Sequence, residues 1–186
     1  MSEIPTAVRE QVVLLDDGGS PVGVADKSEV HHRDTPLHLA FSCHVLDGAG
    51  RLLVTRRALS KRTWPGVWTN SVCGHPAPGE SLINAVIRRA RTELGIAVHD
   101  IEVAVPDFRY RAVDDSGTVE NEVCPVLVAT ADGDELRPDP TEVMAYRWIE
   151  PGDLAAALHL TPWAFSPWLT EHAPQLPLLD GTAVAR

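Results

Sequence analysis

The chain predicts an α/β (α+β) fold: a mixed β-sheet sandwiched by helices, with additions at both termini. Three observations predict it. Short apolar segments of strand length recur between glycine-rich turns, one long amphipathic helical stretch lies among them, and further helical segments gather near the C-terminus. At 186 residues the length suits one domain with a real core. Residues 1–35 read as an N-terminal strand and contact segment, 36–150 as the core, and 151–186 as C-terminal helices with an irregular tail.

Each element has a local reason. Gln11 to Leu15 reads as a strand, closed by the turn Asp16-Asp17-Gly18-Gly19-Ser20. Lys27 to Thr35 is polar and carries His31 and His32. From Leu37 to Leu46 the pattern alternates as one strand: Leu37, Leu39, Phe41, Cys43 and Val45 share a face, and His38 projects away from that apolar row. Asp47-Gly48-Ala49-Gly50 turns the chain into a strand from Arg51 to Thr55. The loop Ala58 to Asn70 is long enough to suggest function, since loops beyond about 12 residues are uncommon. A helix follows, capped by Ser81 and ended at Gly95, with Leu82, Val86, Ala90 and Leu94 as its buried stripe. Arg89 and Glu93, four apart, share a different face. Phe108 to Val113 and Thr118 to Thr130 read as strands across Asp114-Asp115-Ser116-Gly117, and a three-residue loop would set Tyr110 opposite Glu122. A strand from Val143 to Ile149, a helix from Asp153 to His159, a helical stretch from Pro162 to His172 and an irregular tail after Ala173 complete the chain.

Composition narrows the function. A formal net charge of -10 argues against broad contact with nucleic acid or anionic membrane, both of which call for a basic field. Three cysteines without a pairing pattern, and an N-terminus without a basic region leading into an apolar run, predict a reduced, cytoplasmic protein. No apolar run approaches the roughly 18 residues of a spanning helix. The expected partner is a small molecule, and a monomer is favoured.

Cys73-Gly74-His75-Pro76-Ala77-Pro78-Gly79-Glu80, continuing to Arg88-Arg89-Ala90-Arg91-Thr92-Glu93-Leu94-Gly95-Ile96, resembles the Nudix signature G-x5-E-x7-R-E-U-x-E-E-x-G-U, where U is aliphatic. Gly74, Glu80, Arg88, Glu93, Gly95 and Ile96 fit; Arg89 and Thr92 replace two of its glutamates. Hydrolysis by a metal-activated water needs several carboxylates to gather cations. The altered helix is therefore expected to hold a diphosphate without cutting it.

Four groups of residues could carry chemistry. His31 or His32, His38, His75, Glu120 and Glu122 offer nitrogen and carboxylate ligands; Glu120 and Glu122 alternate on a strand and so share a face. That mixture suits zinc or manganese, although any one histidine alone is more often structural. Cys73, just before a helix, could have a lowered pKa or be a small buried hydrophobe; Cys43 and Cys124, within apolar strands, are read as the latter. Lys27, Arg56, Arg57, Lys61, Arg62, Arg88, Arg89 and Arg91 form a basic set near the Cys73 segment, suited to an anion. Trp64, Trp68, Trp163 and Trp168 are packing anchors or a face for a positive centre.

Leu37-His38-Leu39-Ala40-Phe41, Arg56-Arg57-Ala58-Leu59-Ser60-Lys61, the run from Trp64 to Pro76, Tyr110-Arg111 and Glu120-Asn121-Glu122-Val123-Cys124-Pro125 together resemble the type I isopentenyl-diphosphate delta-isomerases. The resemblance spans Lys27 to Trp168. It implies a Nudix-like fold and a reversible allylic proton shift between isopentenyl diphosphate and dimethylallyl diphosphate. It also implies His31, His38, His75, Glu120 and Glu122 as ligands of one tightly bound divalent metal (manganese, zinc or magnesium). His31 is preferred over His32 for its seven-residue step to His38. By the same resemblance Cys73 and Glu122 are catalytic, on opposite faces of the substrate, with Tyr110 supporting Glu122. Glu93 binds a magnesium that accompanies the diphosphate; Lys27, Arg57, Lys61 and Arg89 grip it; Trp168 is the aromatic wall. The competing readings are a Nudix diphosphatase and a non-catalytic diphosphate sensor.

Overall fold

The structure, a computed structural model, describes residues 10–133 and 135–179. Residues 1–9 and 180–186, the ends of the expected N-terminal segment and tail, lie outside the described residues. The chain opens with β1 (Gln11–Leu15) and β2 (Pro21–Asp26), which pair antiparallel, and then the short helix α1 (Lys27–Val30).

The stretch expected as one strand from Leu37 to Leu46 is two. Strand β3 (His38–Leu39) pairs with β1, whereas β4 (Phe41–Leu46) belongs to another sheet. Both faces of β4 are buried apart from its last residue, so its alternation marks two packed layers rather than one core face and one wet face. After β4 come β5 (Leu52–Arg57), β6 (Trp68–Thr69) and β7 (Val72–Gly74), then α2 (Leu82–Arg89). Next in the chain are β8 (His99–Val105), β9 (Arg109–Val113), β10 (Val119–Val123) and β11 (Val126–Thr130). The expected strand Thr118 to Thr130 also splits, at Cys124-Pro125. Proline has no N–H to give a ladder, so the chain changes partners there. Cys124 instead donates to the Phe108 carbonyl at 2.8 Å, and Pro125 accepts from Ser42 at 3.1 Å. Strand β12 (Val143–Ile149), α3 (Pro151–Leu160) and α4 (Pro167–His172) follow, and the chain after Ala173 closes in two short 3-10 turns.

Two mixed sheets result. The first runs β2-β1-β3-β10-β9; the second runs β12-β5-β4-β11-β8, with β6 on β5 and β7 on β4. The chain crosses between them twice in parallel, from β3 to β4 and from β10 to β11. The second sheet is covered on both faces. Phe41, Cys43, Val45 and Leu53 pack with Val86, Ala90 and Leu94 of the signature helix, while Leu52, Val54 and Val126 pack with Leu154, Trp168 and Leu169 of the C-terminal helices. Each fully buried large apolar side chain contributes roughly 1.5–3 kcal/mol. Among the described residues no helix is long and apolar enough to cross a membrane.

The signature helix keeps its predicted caps. Ser81 Oγ accepts from Asn84 N at 3.2 Å, and Gly95 sits left-handed at φ 70. Its last turn differs: Ala90 to Leu94 is wound as a π-turn. Thr92 Oγ1 bonds back to the Arg88 and Arg89 carbonyls at 3.0 and 3.3 Å, a competition with the helical ladder that loosens it locally. Gly74 has a packing reason, since a Cβ there would lie 3.0 Å from Arg89 Cγ and 3.2 Å from Phe41.

Candidate active site

The two crossovers build the site. Because β3 and β10 run parallel with Glu122 beside His38, and β9 sets Tyr110 beside Glu122, three side chains form a row across the first sheet. The register places Tyr110 opposite Glu122 as the three-residue loop requires. His31 enters from the end of α1 and His75 from the residue after β7. Ring centroids of His31, His38 and His75 lie 5.1 to 5.4 Å apart. Ligand atoms of these three and of Glu122 all fall within 4.8 Å of one another. Glu120 adds an oxygen 3.0 Å from His31 Nε2. His32 turns away, exposed, and accepts from Asp34 N at 3.1 Å, so chain geometry separates the adjacent pair.

This donor set fits a divalent metal. His38 Nδ1 lies 2.9 Å from the Pro36 carbonyl, which can only accept; the proton is therefore on Nδ1 and the Nε2 lone pair faces the cluster. That Nε2 stands 3.2 Å from His75 Nε2, and both approach Glu122 Oε1, at 3.4 and 3.1 Å. His31 Nε2 and Glu120 Oε2, although close, are buried without a geometrically sound hydrogen bond, so they point side by side rather than at each other. Burial favours a neutral Glu122, but His38 and His75 outweigh it and hold its carboxyl well below the usual range. Burial lowers His75 to about 4.

A cavity of about 830 Å³ opens beside the cluster. Every residue singled out by the resemblance lines it except His38, which is behind the wall. Cys73 lies on β7, opposite Ser42 of β4, with Ser42 Oγ 3.6 Å from its sulfur. Of the two readings left open for Cys73, the thiol lowered by a helix N-terminus is not the one its surroundings favour. Ser81 occupies that cap, and burial pushes the Cys73 thiol up to about 11 against hydrogen bonds from Ser42 and Asn70. Burial and the nearby glutamates also raise Tyr110 well above its ordinary value.

The basic set divides. Lys27, Arg57, Lys61, Arg62 and Arg89 line the cavity. Arg56 is spent on the Gly66 carbonyl, Arg88 on Glu80, and Arg91 is exposed. Arg89 donates to Glu93 at 2.6 Å and also faces Glu142 and Glu10 at 3.4 and 3.5 Å. Burial would lower Arg89, but these carboxylates raise it, so its charge is secure. Burial raises Glu93 despite Arg89. Lys61 pairs with Glu142 and Lys27 with Glu10. Glu142 and Glu10 escaped sequence reasoning: each stands just before a strand, and neither lies in a recognisable spacing. Arg57 bonds the Thr63 carbonyl at 2.7 Å and stacks 5.2 Å over the Trp168 ring. Trp168 is buried against Trp64 and Tyr110, whereas Trp163 is 80% exposed and takes no part.

Residues 36–169 match the NUDIX domain family, and fold and site together define the class as a NUDIX domain protein. The fold is like that of DR0079 from Deinococcus radiodurans, with a TM-score of 0.66 at 20% identity over 87% of this chain and 96% of that one. It is also like a NUDIX-family hydrolase from Clostridium perfringens, with a TM-score of 0.53 at 18% identity over 76% and 95%. Sequence relatives are far nearer. The isopentenyl-diphosphate Delta-isomerase of Clavibacter sepedonicus is 57% identical over 94% of this chain and 96% of its own length. That of Agromyces mediolanus is 58% identical over 98% and 88%. The chain belongs to the isopentenyl-diphosphate Delta-isomerase family.

Proposed function

We propose that this enzyme interconverts isopentenyl diphosphate and dimethylallyl diphosphate by protonation and deprotonation through a tertiary carbocation, serving isoprenoid precursor biosynthesis. One observation carries the reading: three histidines and two glutamates converge beside Cys73 and Tyr110, while the signature helix offers Arg89 and Thr92 where a hydrolase needs carboxylates. On this reading residues 36–150 are the catalytic core; the flanking segments supply Lys27, His31 and Trp168.

His31, His38, His75, Glu120 and Glu122 would hold one divalent metal, zinc, manganese or magnesium. When bound, it would offset the repulsion between the two carboxylates and set the protonation of Glu122. Glu93 would take the magnesium that accompanies the diphosphate, and Lys27, Arg57, Lys61 and Arg89 would bind the phosphate oxygens. Of the two transfers, Glu122 with Tyr110 serves one and Cys73 the other. The terminal alkene carbon gains a proton through its π electrons, leaving a tertiary cation. Loss of a proton from the carbon nearer the diphosphate returns an electron pair to form the new double bond. Trp168 supplies an aromatic face to the cation, and exclusion of water prevents its capture as an alcohol.

The test is phosphorus and proton NMR of the protein with isopentenyl diphosphate, magnesium and a first-row metal. Dimethylallyl diphosphate should appear without free phosphate, and chelation should stop it. Phosphate release without the allylic product would favour a diphosphatase; binding with neither would favour a sensor.

A further inference from the structure

Asn70 is fully buried between β6 and β7 and touches two groups assigned to the reaction. Its orientation is settled by its partners. Trp168 Nε1–H can only donate and does so to Oδ1 at 3.1 Å; Thr69 Oγ1 reaches the same oxygen at 3.0 Å. The carbonyls of Cys43 and Val72 can only accept, and they take Nδ2 at 3.1 and 3.0 Å. So anchored, the amide presents both ends to Cys73: Nδ2 lies 3.2 Å and Oδ1 3.3 Å from the sulfur.

We infer that Asn70 is a positioning residue that ties the Cys73 sulfur to the Trp168 indole, holding the proton-transferring group and the cation's aromatic wall in one fixed relation. The inference rests on the roles proposed above for those two side chains. Where the sulfur acts as the base it does so as the thiolate: one of its lone pairs forms the S–H bond while the C–H electron pair stays with carbon to form the new double bond. Its contacts with the amide are shared ones, since both Nδ2 hydrogens also face carbonyls and Oδ1 also accepts from Trp168 and Thr69; the thiolate leans on Nδ2 and the thiol on Oδ1. Asn70 itself neither gains nor loses a proton, and only the thiol hydrogen turns about Cβ–Sγ; no heavy atom needs to move. Because the same oxygen holds the indole, a shift of the amide would move sulfur and ring together. A misplacement near 1 Å costs about 100-fold in rate.

The experiment compares wild type, Cys73→Ala, Asn70→Ala and Thr69→Val, with turnover expressed per metal-loaded site. It also follows the Trp168 indole N–H among the five tryptophans, identified by its absence in Trp168→Phe. Asn70→Ala should lose about 100-fold in kcat with KM nearly unchanged and should shift the Trp168 resonance alone. Thr69→Val, nearly isosteric, removes one bond that orients the amide and should lose about 10-fold in kcat; it decides the matter where Asn70→Ala does not fold. Wild-type kcat per loaded site in Asn70→Ala, the same in Thr69→Val where Asn70→Ala does not fold, or an unmoved Trp168 resonance in Asn70→Ala overturns the inference. Retained turnover in Cys73→Ala overturns instead the catalytic reading beneath it.

Discussion

Acidification from pH 7 to pH 5 will cost the folded state about 2 kcal/mol through His44 alone. His44 on β4 and His172 on α4 are fully buried, and their Nε2 atoms meet at 2.8 Å across the packing between sheet and helix. Phe108 closes edge-on against His172 at 5.3 Å. Burial lowers His44 to about 4, and burial together with His44 holds His172 well below its ordinary value. In the unfolded chain both regain a value of about 6.5. A histidine depressed in the native state stays neutral there while the unfolded chain takes up protons. The stability is therefore complete above the unfolded value and is lost as pH falls toward the folded one. The limiting loss for His44 is about 3 kcal/mol, and His172 adds to it with the same sign. The assay is urea unfolding at pH 7, 6 and 5 for wild type and His44→Gln, which removes one titrating ring and leaves His172 a hydrogen-bonding neighbour. Wild type should lose about 2 kcal/mol more than the variant between pH 7 and pH 5. Identical pH slopes would refute the reasoning, since the carboxylates and His75 are common to both proteins.

Cys73→Ala should abolish turnover while metal content, by elemental analysis, stays near that of wild type. Glu122→Gln should lose both together, because that carboxylate faces His38 and His75 as well as the cavity. Lys61→Met should raise KM about 10- to 100-fold with a smaller change in kcat in steady-state assays, as expected for losing a charged hydrogen bond to phosphate.

The sequence made several elements legible for physical reasons. The strand from Gln11 to Leu15, the strand from Val143 to Ile149, and the caps at Ser81 and Gly95 depend on local alternation and hydrogen bonding, which a short window contains. The breaks at Ala40 and Cys124-Pro125 do not. Each strand changes sheet in mid-run, and although Pro125 marks the second break locally, the partners on either side of each break lie far away in sequence. Period-two spacing gave the β4 stretch one apolar row, while its second face also packs, on helices from the far end of the chain. At the site, the family resemblance and not spacing named the histidines and glutamates together, and the thiol's environment followed from burial that neither records. Glu142 and Asn70 were overlooked because their significance comes from partners on other elements, Lys61 and Arg89 for one, Trp168 for the other.

Deuterium incorporation from heavy water, followed by proton, deuterium and phosphorus NMR on one sample, is the most direct measurement. Isopentenyl diphosphate with the metal-loaded enzyme should yield dimethylallyl diphosphate carrying deuterium on carbon, with every diphosphate intact. Free phosphate appearing while no carbon gains deuterium would contradict an enzyme that moves a carbon-bound proton and leaves the diphosphate whole.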